Sequence, residues 1–337
     1  MTTYRICLLP GDGIGPEVTA AARRVLEALP LQFEFIEGGI GLAVWQDCGD
    51  PLPPETLQKI KAADATLFGA VTTPPDIANY RSPVLRMRQE LDLYANLRPC
   101  RSIPHEISRP GIDLLVVREN TEDLYIGRER LEDNGDTAIG EMQITRGASE
   151  RIARAAFEQA RARGLTKVTI VHKANVLRQT SGLFRRTALQ VAQEYSDIQS
   201  EDMLVDTCAM ELIRAPENFG VIVTTNLFGD ILSDEASMLV GGLGLACSGN
   251  IGAETAVFEP VHGSAPRLAG RDEANPLAAI LSAAMLLDYL GESEQARRVE
   301  NAVRSAITSK QVTPDLGGSL GTQAAANAII QLLGEKL

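Results

Sequence analysis

Two aspartates four residues apart, Asp230 and Asp234, lie in Asn226-Leu-Phe-Gly-Asp-Ile-Leu-Ser-Asp234. The apolar run Val221–Thr225 precedes them, so a strand gives way to a helix here and both carboxylates fall on one helix face. Such charges repel unless a cation lies between them; for a lone pair, the plainer reading is an acidic bias at a helix N-terminus. His105, His172 and His262 stand far apart, which leaves oxygen ligands and favours Mg²⁺ or Mn²⁺. Asp206, after the strand-like Asp202–Val205, is a third candidate ligand. Arg88, Arg98 and Arg118 are candidates for gripping carboxylates, because a guanidinium offers a planar fork of donors. Arg118 directly follows Leu114–Val117, at the strand end where open α/β sheets bind ligands. Arg86 and Arg101 read as surface charges. Lys173 follows a buried-looking strand, where desolvation would favour a general base, and Tyr125 is a candidate proton donor.

Gly11-Asp-Gly-Ile-Gly15 looks like a dinucleotide fingerprint and is not one. Its spacing is G-x-G-x-G, and Asp12 would place negative charge beside a pyrophosphate. It reads as a tight strand-to-helix turn. The better nucleotide loop runs from His262-Gly-Ser-Ala-Pro266 through Gly270 to Asn275, where exposed backbone N–H groups can hold phosphate or ribose.

The elements that must position these groups alternate between β-rich and helical patterns, which predicts an α/β fold with a largely parallel sheet. Strands are expected at Arg5–Leu9, Gln32–Ile36, Ala65–Ala70, Leu114–Val117, Val168–Val171 and Val221–Thr225. Helices are expected after Pro16, at Ala148–Arg163 and at Ser181–Glu194, with three more beyond residue 276. Residues 123–145 read as an arm or hairpin, and the Gly-rich residues 241–275 as ordered functional loops rather than core elements. A net charge of −12 argues against a nucleic-acid partner but not against a small anionic substrate, which responds to the local field of a cleft. The five scattered cysteines read as buried thiols of a reducing compartment. The longest greasy stretch, Pro276 to Leu290, is too short to span a bilayer, and a cytoplasmic protein is expected.

Taken together, several segments resemble the β-decarboxylating dehydrogenases, the isocitrate, homoisocitrate and 3-isopropylmalate dehydrogenase family. They are Leu9–Gly15, Asp92–Pro99, Arg118–Glu122, His172–Leu177, Asn226–Asp234 and Glu259–Pro266, in the family's order along almost the whole chain. The resemblance implies a two-domain open-sheet fold: a large domain from residues 1–98 plus 256–337, and a small domain from 99–255 with a dimer-clasping arm near 123–145. It implies that Ser82, Arg88, Arg98, Arg118, Tyr125 and Lys173 bind substrate. Asp230, Asp234 and Asp206 of the partner subunit would hold Mg²⁺ or Mn²⁺, with shared active sites in a homodimer or higher homo-oligomer. Lys173, also from the partner, would take the C2 hydroxyl proton with help from Asp206, and Tyr125 would protonate the enol after CO₂ leaves. Cofactor contacts are implied at Thr73, Asn175, His262, Gly263, Ser264, Ala265, Pro266, Gly270 and Asn275.

Glu119-Asn-Thr-Glu122 and His172 resemble the tricarboxylate enzymes, and homoisocitrate is the expected substrate, ahead of isocitrate and then 3-isopropylmalate. Val84 and Leu85 depart from the tricarboxylate pattern, so Arg81 or Arg86 would have to meet the distal carboxylate. NAD is the expected cofactor, with NADP the alternative because Arg267 stands where NAD-dependent members carry Asp. A non-catalytic regulatory subunit, the reading from a different class, would have lost catalytic positions that are all present here.

Overall fold

The computed structural model describes residues 2–74, 76–77 and 80–334, so the last three residues of the expected large domain lie outside it. The chain begins with β1 (Thr3–Gly11), α1 (Gly15–Glu27), β2 (Gln32–Glu37), α2 (Leu42–Cys48), α3 (Pro54–Ala62) and β3 (Ala65–Ala70). Next come α4 (Pro83–Glu90), β4 (Ala95–Arg101), β5 (Asp113–Glu119) and the short strands β6 (Glu129–Glu132) and β7 (Thr137–Gly140). Then α5 (Arg146–Ala162), β8 (Lys167–His172), α6 (Thr180–Ala192), β9 (Gln199–Leu204), α7 (Val205–Arg214), β10 (Val221–Thr224) and α8 (Asn226–Leu239) follow. The chain closes with β11 (Cys247–Ile251), β12 (Ala256–Pro260), α9 (Leu277–Tyr289), α10 (Ser293–Thr308) and α11 (Thr322–Gly334).

Two compact units form. The first comprises residues 1–91, 103–108 and 241–337, with strand order β2-β1-β3-β12-β11, parallel except for β11 against β12. Its core is a helix layer on that sheet. Val18, Ala22, Val25 and Leu26 recur at helical spacing on α1 and pack with Ile280 and Leu287 of α9, Val299 and Val303 of α10, and Ile329 of α11. Burying each of these valine, leucine and isoleucine side chains contributes about 1.5–3 kcal/mol. α9 is buried on most sides, which accounts for the greasy stretch at 276–290; among the described residues no helix is long and apolar enough to cross a membrane.

The second unit comprises residues 92–102 and 109–240, with strand order β4-β5-β10-β8-β9, antiparallel only at β4–β5. Leu114 and Val116 of β5 and Ile222 of β10 meet Cys208 and Leu212 of α7 and Leu232 and Ala236 of α8. β6 and β7 form the expected hairpin, with β6 exposed along its length and Leu131 71% exposed. Its base is closed by an Asp123–Gln143 bridge and by the Glu122 carboxylate, which accepts the Thr145 N–H at 2.9 and 3.0 Å.

Three expectations need correction. The boundaries fall at 91/92 and 240/241, not at 98 and 255, because β4 pairs with β5 while β11 folds back on β12. Residues 241–275 are not only loops, since β11 and β12 are core strands. Their Gly and Asn content hid them: Gly249 leaves room for the Phe258 ring, and Asn250 is buried donating to Val257 O at 3.2 Å and Glu259 Oε1 at 2.7 Å. Of the cysteines, Cys48 is exposed, at the end of α2.

The Gly11–Gly15 segment is the tight turn expected. Gly11 has φ +76°, and a Cβ there would stand 1.9 Å from Ala70 O. Gly49 has a similar φ of +79° but open space around it. Gly49→Ala is therefore expected to cost about 1–2 kcal/mol of stability, and Gly11→Ala roughly 2 kcal/mol more from the backbone collision. Urea unfolding of both variants measures the difference, and equal losses would show that the turn has room.

Candidate active site

In the second unit, the antiparallel pairing of β4 with β5 sets Asn96 opposite Arg118. Strand alternation then turns Asn96, Arg98 and Arg118 to one face, over which α8 lies. α8 approaches closely because residue 229 is glycine: a Cβ there would meet the Arg118 Cβ and Cγ at 2.7 and 2.6 Å. Asn226 in its first turn accepts the Arg118 Nε–H at 3.0 Å and an Nη2–H at 2.7 Å, and donates to Glu122 O at 3.1 Å.

Asp230 and Asp234, one turn apart on α8, share these arginines. Arg118 Nη1 and Arg98 Nη2 both face Asp230 Oδ1, the latter at 3.2 Å, while Arg98 Nη1 donates to Asp234 Oδ1 at 3.1 Å. Arg98 is fixed further by Asn96 Oδ1 at 2.7 Å and Ser233 Oγ at 2.8 Å. The Tyr125 hydroxyl donates to Asp230 Oδ2 at 2.6 Å, and its ring lies 5.1 Å from the Arg118 guanidinium carbon. The structure thus brings together Arg98, Arg118, Tyr125, Asp230 and Asp234. Partial desolvation raises the Asp234 carboxyl above its ordinary range although its side chain is about half exposed, opposed by Arg98 and reinforced by the Asp230 charge.

Lys173 and Asp206 form a separate pair in the same unit. Lys173 follows β8, Asp206 lies in the first turn of α7 after β9, and Nζ meets Oδ1 at 2.7 Å. That hydrogen bond holds the Asp206 carboxyl below its ordinary range. The Lys173 side chain is a quarter exposed, so its ammonium faces a carboxylate and solvent instead of the apolar surroundings its position after a strand suggested. Among the described residues of one chain, no three acidic, His or Cys side chains gather as a metal site. Asn175 is exposed, two residues beyond Lys173.

In the first unit, Arg88 of α4 is buried against Glu259 of β12, Nη2 to Oε1 at 3.1 Å, with its Nε buried and unpartnered. Ser82 occupies the N-cap of α4 without a side-chain capping bond. Arg86, one of two arginines considered for a distal carboxylate, is already ion-paired with Asp50 at 2.7 Å and Glu90 at 2.5 Å, leaving Arg81, which is exposed. Arg101 is a surface charge paired with Asp113. Asp12 proves to be an organiser of loops, accepting N–H groups from Leu42 at 2.9 Å, Ala43 at 3.3 Å and Thr72 at 2.8 Å.

The Thr72 hydroxyl meets Ser264 Oγ at 2.7 Å, and Ser264 O accepts the Ile14 N–H at 2.8 Å, so the 262–266 loop is tied to the β1–α1 turn. Leu268 and Arg271 spend their N–H groups inside the loop, and Gly270 N donates to Glu17, which narrows the backbone donors left for a nucleotide. His262 fits such a ligand: its Nε2 is buried without a partner, and burial lowers its pKa below the ordinary value. Gly263 and Pro266 are exposed beside it, Ala265 is half-buried with φ +37°, and Thr73 is exposed. Asn275 is held by Asp315, donating at 2.8 Å. Sequence reasoning missed Asn96, Asn226, Ser233 and Glu259 as partners of the arginines, although all four lie inside segments that carried the resemblance.

The family model described as isocitrate/isopropylmalate dehydrogenase matches residues 5–332. The isocitrate/homoisocitrate dehydrogenase of Thermus thermophilus is 54% identical over 98% of both chains. The homoisocitrate dehydrogenase of Methanocaldococcus jannaschii is 49% identical over 99% of both. The crystal structure of isocitrate dehydrogenase from Methylococcus capsulatus has a TM-score of 0.95 at 45% identity, covering 98% of this chain and 100% of that one.

Proposed function

The chain belongs to the isocitrate/isopropylmalate dehydrogenase family, and on that premise we propose that it converts homoisocitrate to 2-oxoadipate and CO₂, using NAD and a divalent metal, Mg²⁺ or Mn²⁺. Decarboxylating dehydrogenase activity on a hydroxy acid is the activity of the family. One observation carries its assignment to a place in this chain: two buried guanidiniums, two carboxylates and a phenol converge at Arg98, Arg118, Asp230, Asp234 and Tyr125.

The charges of that group support the metal reading. Arg98 and Arg118 balance Asp230 and Asp234, so adding a dication together with the two carboxylates of a malate-like acid keeps the site near neutral. Asp230, Asp234 and Asp206 of the partner subunit would hold the ion. When bound, the metal supplies Lewis acidity at the C2 oxygen and the nicotinamide supplies the hydride acceptor. Arg88, Arg98 and Arg118 hold the substrate carboxylates in pairs. With Asp206 and solvent accepting the proton that its ammonium carries, Lys173 takes the C2 hydroxyl proton, and Tyr125 delivers a proton to the carbon left by CO₂.

Because Lys173 and Asp206 act in a neighbour's site, the working form is a homodimer or larger homo-oligomer. Met210 and Ile213 of α7 and Ile231 and Met238 of α8, each more than half exposed, are apolar surface suited to that contact. Free thiols fit operation in the cytoplasm.

All three candidate acids share the malate-like part, so specificity rests on the group that differs. A buried carboxylate without a cation or donor is costly. With Arg86 committed elsewhere, Arg81 and Ser82 are the groups left to meet a distal carboxylate, and the longer arm of homoisocitrate suits an exposed arginine better than isocitrate does. A panel of homoisocitrate, isocitrate and 3-isopropylmalate, each with NAD and NADP, tests this. The expected kcat/KM is highest for homoisocitrate with NAD, and isocitrate comes second. Highest efficiency with 3-isopropylmalate would mean that the half-buried Val84 and Leu85 control the pocket instead. NADP is the second reading of the cofactor, because Arg267 is exposed beside the nucleotide loop.

A further inference from the structure

His172 immediately precedes Lys173, yet nothing in the reaction described above uses it. Its side chain is buried, 5% exposed at the end of β8. Its Nδ1 accepts the Ala174 N–H at 3.1 Å, so Nδ1 carries no proton. The ring's proton therefore sits on Nε2, 3.0 Å from Asp202 Oδ2. Asp202 lies on β9 and is gripped from α6 by Arg185, whose Nε donates to the same oxygen at 2.5 Å. The neutral imidazole required by this arrangement is favoured, since burial lowers the His172 pKa against the pull of Asp202.

The two ends of this network are the two ends of the Lys173–Asp206 pair. β8 and β9 are parallel neighbours with His172 opposite Leu204. Lys173 is the first residue after one strand and Asp206 the second after the other. The imidazole bonds one residue past Lys173 on one side and, on the other, the strand that delivers Asp206. The Lys173 carbonyl then accepts the N–H groups of Val176 at 3.1 Å and Leu177 at 2.9 Å, closing the turn beyond it.

We propose that His172 is a positioning residue for proton transfer: its imidazole clamps the Lys173 turn to β9 and so fixes Lys173 against Asp206. The inference rests on the reading of Lys173 and Asp206 as the proton-transfer pair. A misplacement of a reacting group by about 1 Å can cost roughly a hundredfold in rate, and removal of a partner that orients a functional ligand costs roughly 10- to 100-fold.

The test separates the two ring nitrogens. In His172→Asn the amide oxygen takes the place of Nδ1 and still accepts from Ala174, whereas His172→Gln reaches only Asp202. A third variant, Asp202→Ala, removes the outer anchor at a side chain that is one-third exposed, so it folds even if a buried substitution does not. Two quantities are measured: amide exchange at Ala174, and kcat with KM for the preferred hydroxy acid. His172→Asn is expected to keep Ala174 protection but, with the tie to Asp202 on β9 cut, to lose roughly 10- to 100-fold in kcat. Asp202→Ala is expected to behave as His172→Asn does, and His172→Gln to lose Ala174 protection as well, each with roughly 10- to 100-fold lower kcat and KM changed little. Equal Ala174 protection in all variants, or an unchanged kcat in any of them, overturns the positioning role. A wild-type protein that oxidises none of the hydroxy acids overturns the reaction reading, and the role with it, whatever the exchange shows.

Discussion

Lys173→Met is expected to abolish oxidation of the hydroxy acid, lowering kcat by about 10²–10⁴-fold as befits loss of a general base, while decarboxylation of the 2-oxo intermediate supplied directly remains measurable. The fold should persist, because the residue is partly solvated and joined to Asp206 by a single ion pair. Tyr125→Phe is expected to show the complementary defect. It keeps the ring beside Arg118 but removes the hydroxyl on Asp230, so oxidation survives better than protonation after CO₂ loss. NADH formation and decarboxylation of the 2-oxo intermediate, followed separately, check both variants, and wild-type oxidation by both would remove the proton-transfer roles. A mixed refolding tests the shared site. Lys173→Met and Asp230→Asn are each inactive alone, but a mixed dimer has one site in which every residue is intact. Activity regained on mixing places Lys173 in the neighbour's site, and its absence places the base in the same subunit.

A divalent metal is expected to be indispensable, and the two aspartates should report this differently. Asp234 is more than half solvated at its side chain, and Arg98 keeps Ser233 and Asn96 when the carboxylate is lost. Asp234→Asn is therefore expected to cost orders of magnitude in kcat, roughly 10²–10³-fold, with little change in Tm. Asp230 is different, because it neutralises Arg118, which is 1% exposed. Asp230→Asn leaves a buried cation with weaker compensation, so stability is expected to fall by about 1–3 kcal/mol alongside the rate. Turnover after exhaustive chelation with EDTA, and its recovery on adding Mg²⁺ or Mn²⁺, completes the measurement. Full activity in excess chelator would sink the metal assignment.

Much of this site was legible because strand ends and helix starts impose it. Arg118 after an apolar run, Lys173 after another, and the Asp230–Asp234 spacing each followed from periodicity; the structure keeps the last two placements and puts Arg118 inside β5, one residue before its end. Short-range pattern could not show which strand lies beside which. The convergence of Arg98 with Arg118 depends on β4 pairing antiparallel with β5, and that pairing also moved the domain boundary. β11 and β12 were hidden for another reason. Their interior positions include Gly249 and Asn250, residues depleted in strands, and burial and specific bonds outweigh that propensity here. Asp12 was read only as a charge unsuited to pyrophosphate, since nothing local says that three distant N–H groups will meet it.

The first unit is discontinuous in sequence, and this sets an order of events on the ribosome. β3 ends up between β1 and β12, but β12 emerges nearly two hundred residues after β3. In the interval β3 presents an unpaired edge, and the apolar stripe of α1 has neither α9 nor α11 to cover it. The second unit has all its strands by residue 224 and its last helix by 239. The nascent chain can thus complete the group around Arg98, Arg118 and Asp230 while its own N-terminal third still waits for a partner. A chain cut short before β12 would hold most of the chemical groups in place and still fail, because its first strands would be left open for pairing with other chains.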